Sequence, residues 1–174
     1  NEHGGTFPAA DGWFVLNARD AAWRDSGAFG PYTRFEGPDA RFAQIGVNIG
    51  VLQPGQPACM YHGEADQEDF LVLSGEALLL VEGQERPLRA WDFVHCPPWT
   101  EHVFVGAGDG PCIILAIGGR SDPDAVRYPI SDLAQRHGAG VRVATHLPDE
   151  AYADVATPVE VPFREEWLRP PGTA

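Results

Sequence analysis

From Tyr32 to Gly119 the chain is a succession of short apolar runs rich in Val, Ile, Leu and Phe, each closed by a turn containing Gly, Pro or Asp. The runs read YTRFEG, QIGVNIGVL, ACMYHGE, EDFLVLSG, ALLLVEG, DFVHCP, HVFVG and CIILAIGG. They are too short for helices, and their even spacing with turn chemistry between them predicts an all-β, antiparallel sandwich or barrel. Before them, a loose arm of small and polar residues leads to Trp13-Phe14-Val15-Leu16, whose alternation predicts an edge strand. After Gly119 the strand pattern stops. A helix is predicted from Ser131 to His137, with Ser131 as its cap and Gly138 where a helix usually ends. The last stretch, from Leu147, is rich in Pro, Ala and acids. Its isolated aromatics Tyr152, Phe163 and Trp167 read as anchors that pack over the barrel or onto a second subunit. The expected organisation is an N-terminal arm and edge strand (1–31), a barrel (32–119) and a C-terminal helix and extension (120–174), without internal repeats.

Length and charge narrow the function. A chain of 174 residues can bury a core of its own as one domain. A formal net charge of −13 argues against nucleic acid or an anionic membrane as a partner, since both call for a basic surface. All basic residues are Arg, so Schiff-base chemistry on a lysine and Lys-dependent phosphate loops are excluded. Cys59, Cys96 and Cys112 lie far apart in apolar runs, without a C-x-x-C pair, and read as small core residues of a reducing cytoplasm. The sequence has no apolar stretch of membrane-spanning length and no basic-then-apolar leader pattern at its start, so cytoplasmic residence is the expectation.

Candidate chemistry concentrates in GQPACMYHGEADQEDFLVLSG, residues 55–75. His62 and Glu64 are two apart in a strand-like run and share a face. Glu68 opens the next strand after the turn Ala65-Asp66-Gln67, and His102 begins another after Pro97-Pro98-Trp99-Thr100-Glu101. Inward-facing side chains on neighbouring strands of a barrel converge. Buried carboxylates are costly unless paired or bound to a cation, and a divalent ion between two imidazoles and one or two carboxylates removes that cost. By the same alternation, Met60 should line the cavity on the side of His62 and Glu64, while Cys59 and Tyr61 face away. Glu68 could instead cap the Asp66-Gln67 turn. Glu64 is open to three roles: fourth ligand, hydrogen-bond acceptor that fixes the His62 tautomer, or catalytic general base. His95 is expected to be no ligand, and His137 to sit against the carboxyl end of the predicted helix.

This window resembles the first motif of the cupin superfamily, G-x5-H-x-H-x3/4-E-x6-G. His62-x-Glu64-x3-Glu68 matches its middle, Gly75 its end, and Gly55 its opening with one extra residue in the gap. WDFVHCPPWTEHVFVG, residues 91–106, resembles the second motif, G-x5/7-P-x-G-x2-H-x3-N, through Pro97 and His102. Three departures stand out: Glu64 replaces a histidine, Trp91 and Trp99 stand where glycines are usual, and Gly106 stands where Asn is frequent. The spacing of the two motifs is similar to that of compact bacterial members. The resemblance implies a jelly-roll β-barrel with one divalent ion per chain (Mn, Fe, Ni or Zn), held by His62, Glu64, Glu68 and His102. It also implies a superfamily of many activities. Three expectations follow. The first is a metal-dependent enzyme of oxygenase, isomerase or lyase type acting on a small organic substrate. The second is a non-catalytic small-molecule binding or sensing barrel, and the third a metal-free structural one. Met60, Phe70, Phe93, Trp99 and Phe104 are expected to line the pocket, with Trp91 near it, which favours a substrate with apolar or aromatic surface. Trp99 could equally pack against a loop or a subunit contact. Because an open sheet edge needs covering, a homodimer is expected.

Overall fold

The computed structural model describes residues 5–8, 12–38, 40–122 and 125–168. Most of the arm, including His3, lies outside them. The described residues form twelve strands: β1 (Trp23–Asp25), β2 (Tyr32–Arg34), β3 (Ile45–Leu52), β4 (Gly63–Glu64), β5 (Glu68–Ser74), β6 (Glu76–Val81), β7 (Gln84–Arg89), β8 (Phe93–Cys96), β9 (His102–Ala107), β10 (Cys112–Gly119), β11 (Val126–Arg127) and β12 (Val159–Val161). Two short helices, α1 (Asp132–Arg136) and α2 (Pro148–Ala151), and a 3-10 turn at Glu165–Leu168 complete the described elements.

Seven strands form one antiparallel sheet in the order β12-β1-β2-β3-β10-β5-β8. A second sheet, β7-β6-β9, faces it. Bridges from Pro57 to Val105 and from His62 to His102 carry the second sheet on towards the β4–β11 pair. The two inner faces meet over Leu52, Phe70, Val72, Leu79, Phe104 and Ile114, all buried. This is the double-sheet jelly roll that the strand pattern and the resemblance imply.

Outward-facing residues are covered by the chain's own flanks. Tyr61, Leu80, Val103 and Val105 pack beneath Ala134 of α1 and Ala139. Ser131 caps α1 through its hydroxyl, which accepts from the Ala134 N–H, and Gly138 follows at φ +72°, as expected. On the other side, Trp23 of β1 sits 4.7 Å from the Trp167 ring and 5.8 Å from that of Phe163, over Val51 and Ile113. The C-terminal aromatics therefore anchor to this chain's own barrel.

Four local expectations are corrected. No strand forms at Trp13–Leu16, where Trp13 and Val15 are 93% and 91% exposed; alternation without a ladder partner is not enough. Strands do not stop at Gly119, because β11 pairs β4 and β12 pairs β1. A further strand, β7, forms from the polar QERPLR: it is an exposed edge strand that tolerates Pro87 and is joined to β6 by a tight turn with Glu82 and Gly83 at φ +47° and +74°. His137 turns its ring sideways to Glu85, 3.1 Å from its Oε1, and not towards the helix end.

Trp91 and Trp99 adopt φ of +75° and +67°. These are the two places where the resemblance calls for glycine. The fold thus keeps the left-handed turn geometry with a bulky residue in it, at a backbone cost of about 1–2 kcal/mol each.

Candidate metal centre

The two histidines are set by a backbone bridge. The His62 N–H donates to the His102 carbonyl at 3.2 Å, and the His102 N–H returns a bond of 2.8 Å, which places the rings side by side with centroids 5.2 Å apart. Each ring is then fixed through its Nδ1, which donates to the Met60 carbonyl (2.7 Å) in His62 and to the Thr100 carbonyl (3.0 Å) in His102. Both Nε2 atoms are left facing the barrel interior, where, once deprotonated, each offers the lone pair that a metal ligand needs. Glu68, at the inner start of β5, brings Oε2 to 3.5 Å from His102 Nε2. One ligand atom from each of His62, Glu68 and His102 lies within 4.8 Å of the others. Glu64 stands at the flank of this cluster, its Oε1 3.4 Å from His62 Nε2.

The electrostatics are those of ionisable groups taken out of water. Burial, reinforced by repulsion from Glu64, pushes the Glu68 carboxyl up to about 7. Burial and the neighbouring His62 charge push His102 down to about 4. Burial also disfavours charge on His62, but Cys59, the Glu64 hydrogen bond and Glu68 outweigh it and raise its pKa above the ordinary value. The hydrogen bond from His62 holds Glu64 below the usual carboxylate range, against burial. A divalent cation fits this donor set of two imidazoles and a carboxylate, since it takes the place of the His62 proton beside Glu64 and Glu68 and matches the two-His-one-carboxylate pattern.

The cluster opens on a cavity of about 780 Å³ between the sheets. Phe70 and Phe104 line it as expected, their rings 4.6 Å apart at centroids. Met60, Phe93 and Trp99 do not. Residues 58–61 leave strand geometry, so alternation fails there: Met60 packs outwards on Val126, Tyr128 and Val141, and Cys59 lines the cavity with its Sγ 3.7 Å from His62 Nδ1. Tyr61 does face away, into the α1 cluster. Phe93 points from the outer face of edge strand β8 and is 65% exposed, while Val94 and Cys96 turn inwards. Trp99 lies against Arg127, whose Cζ is 5.4 Å from its ring centre and whose Nη2 donates to the Trp99 carbonyl. Trp91 is likewise exposed.

The neighbouring polar residues are engaged elsewhere. Asp66 accepts from the N–H groups of Ser121 (2.7 Å) and Asp122 (3.1 Å), and His95 bonds Asp69 at 2.7 Å. The cavity also carries residues that the sequence did not single out. Tyr128 has its ring centre 6.0 Å from that of His62, and Tyr32, Arg34 and Asn48 lie on the inner face of β2 and β3. Strand alternation puts Tyr32 and Arg34 on one face, but only the three-dimensional pairing shows which face is inside.

Fold and site together give a double-sheet jelly roll whose inward His–Glu–His cluster could hold a metal ion. Residues 48–118, somewhat under half of the chain, match the family model described as Cupin domain, and the barrel has the cupin fold. The curated gentisate 1,2-dioxygenase 1 of Aquipseudomonas alcaligenes is 25% identical over 126 residues, 72% of this chain. The chain spans about a third of that relative, 35% of its length. Among solved structures, an RmlC-like cupin from Shewanella frigidimarina superposes with a TM-score of 0.54 at 16% identity, covering 65% of this chain and 96% of the other. A double-stranded β-helix protein from Klebsiella pneumoniae gives 0.53 at 20% identity, covering 63% and 93%. These structural likenesses concern the fold.

Proposed function

We propose that this cupin is a metal-dependent enzyme acting on a small organic substrate inside the barrel, with His62, Glu68 and His102 holding one divalent ion of the Mn, Fe, Ni or Zn group. The observation that carries the reading is the pair of imidazoles tied by Nδ1 to backbone carbonyls, with Nε2 aimed at a half-buried carboxylate on a cavity wall. When bound, the ion would polarise a substrate oxygen or activate water or dioxygen. The chain's own residues do the rest. Backbone bonds hold the two rings, Phe70 and Phe104 exclude water from one wall, and Glu64, ionised beside His62, accepts a proton from the substrate. Because Glu64 lies outside the three-atom cluster, the proton-moving role suits it better than that of fourth ligand. Of the oxygenase, isomerase and lyase types, the likeness to gentisate 1,2-dioxygenase favours oxidative chemistry on a small ring-bearing acid.

A homodimer and cytoplasmic residence belong to the same proposal. The first is supported by exposed Trp13, Trp91 and Phe93, the second by three free cysteines. The net charge of −13 supports small molecules over nucleic acid as partners. Elemental analysis of parent, His62→Ala and His102→Ala protein tests the centre, with about one ion per chain expected in the parent and almost none in the variants. Equal occupancy in all three would sink it. Oxygen uptake with Fe²⁺ against a panel of ring-bearing acids then tests turnover; bound metal without turnover puts the binding barrel ahead of the enzyme.

A further inference from the structure

Tyr32 and Arg34 flank Thr33 on β2. Thr33 is fully buried on the outer side of the sheet, where its hydroxyl donates to the Ala22 carbonyl at 2.8 Å, so its two neighbours face the cavity. In register, Arg34 lies opposite Asn48, Asn48 opposite Ala116, and Ala116 opposite Phe70. The row therefore runs from an arginine at the mouth across three strand spacings, about 14 Å, to the phenylalanine two residues from Glu68. Its floor is open. Ala116 is small, and a Cβ added at Gly50 would meet nothing within 4 Å.

Arg34 is the one arginine among the described residues that lines this cavity, in a chain with a net charge of −13. No carboxylate among the described residues forms an ion pair with it. Glu36, the acid that feels its charge, already receives two bonds of 2.7 Å from Arg120. The guanidinium lies 5.5 Å from the Tyr32 ring centre, which holds it over the mouth, and the Asn48 amide beside it makes no hydrogen bond among the described residues. A planar fork of donors next to an amide, with its own charge unmatched, is a receptor for a planar anion.

We infer that the substrate is a monocarboxylic acid with an apolar or ring-bearing body, its carboxylate held by Arg34 and Asn48 and its body laid along Ala116 and Phe70 towards the His–Glu–His cluster. Arg34 is the residue that selects the acid. The assignment rests on the proposed function of that cluster and adds the residues that anchor and select its acid substrate. A phosphate is disfavoured because Glu64 and Asp149 line the same cavity, leaving a single guanidinium against two negative charges on the ligand.

Calorimetric titration of the metal-loaded parent, Arg34→Met and Arg34→Lys with benzoate, benzamide and phenyl phosphate decides the matter. The parent should bind benzoate at least tenfold tighter than either other probe, Arg34→Met should lose about tenfold for benzoate and nothing for benzamide, and Arg34→Lys should recover part of the loss. Melting curves confirm that the variants are folded. No binding of benzoate to the parent, equal binding of benzoate and benzamide, tighter binding of phenyl phosphate, or benzoate binding unchanged in Arg34→Met would each overturn the inference. The same titrations on chelator-treated protein separate the two readings. An Arg34-dependent preference that persists without metal supports the anchor whatever becomes of the metal centre. A preference for benzoate that vanishes with the metal makes the ion the carboxylate's receptor and overturns the anchor. Metal content measured on the same samples reports the centre independently.

Discussion

Protons and metal compete for the same buried groups, and that competition can be sized. With its pKa raised to about 7, Glu68 must give up a proton before it can bind a cation at acidic pH. The ionised fraction falls from about 0.9 at pH 8 to about 0.01 at pH 5, so Glu68 alone should lower metal affinity about ninetyfold across that range, or about 2.7 kcal/mol at 1.36 kcal/mol per pH unit. The sign is fixed: a raised carboxyl weakens binding as pH drops, and above pH 8 the effect has run out. His102, pushed down to about 4, is neutral throughout the window and adds nothing. His62, raised above the ordinary value, releases a second proton and makes the fall steeper than Glu68 alone would give. Competition for Zn²⁺ against a chromophoric chelator from pH 5 to 8, corrected for the chelator's own protonation, measures the slope. Glu68→Gln should bind more weakly and lose about one proton from it. Equal affinity at pH 5 and pH 8 at one ion per chain would refute the reasoning, as would an undiminished slope in Glu68→Gln.

Three further outcomes follow from the geometry. Glu64→Gln should keep its metal while losing at least about a hundredfold in turnover, the usual size of a missing general base; elemental analysis beside steady-state rates separates this from a ligand role, in which both would fall. Trp91→Gly should stabilise the fold by about 0.5–1 kcal/mol, the relief of a left-handed backbone less the added freedom of the unfolded chain, and raise the melting temperature by about 2 °C, whereas Trp91→Ala should not. Trp167→Ala should cost about 3–5 kcal/mol in denaturant unfolding at every protein concentration, because the ring packs on Trp23 of its own chain; a loss that depended on concentration would place the contact between subunits.

The strands that form the barrel core were legible because Val, Ile, Leu and Phe alternate with turns between them, and β5, β6, β9 and β10 fall where those runs lie. β7 was not, since an exposed edge strand needs no apolar residues and QERPLR has almost none. β11 and β12 are too short to carry a period and exist through their pairing with β4 and β1. At the site, the convergence of His62, Glu68 and His102 could be read from residue type and spacing. The orientation of Met60 and Cys59 could not, because alternation holds only while the chain is extended and residues 58–61 are not. Arg34 was invisible for a different reason: an arginine on a short strand looks the same whether its face meets solvent or a cavity.

The reciprocal bridge between His62 and His102 bears on how such a site can change over time. The separation of the two ring-bearing positions is set by main-chain bonds of 3.2 and 2.8 Å, which any residue but proline can make. Mutation can therefore exchange the donor atoms without moving the places from which they reach. A lineage can trade nitrogen for oxygen at position 62 or 102, retune its preference among cations, or abandon the ion altogether, and still inherit the same socket.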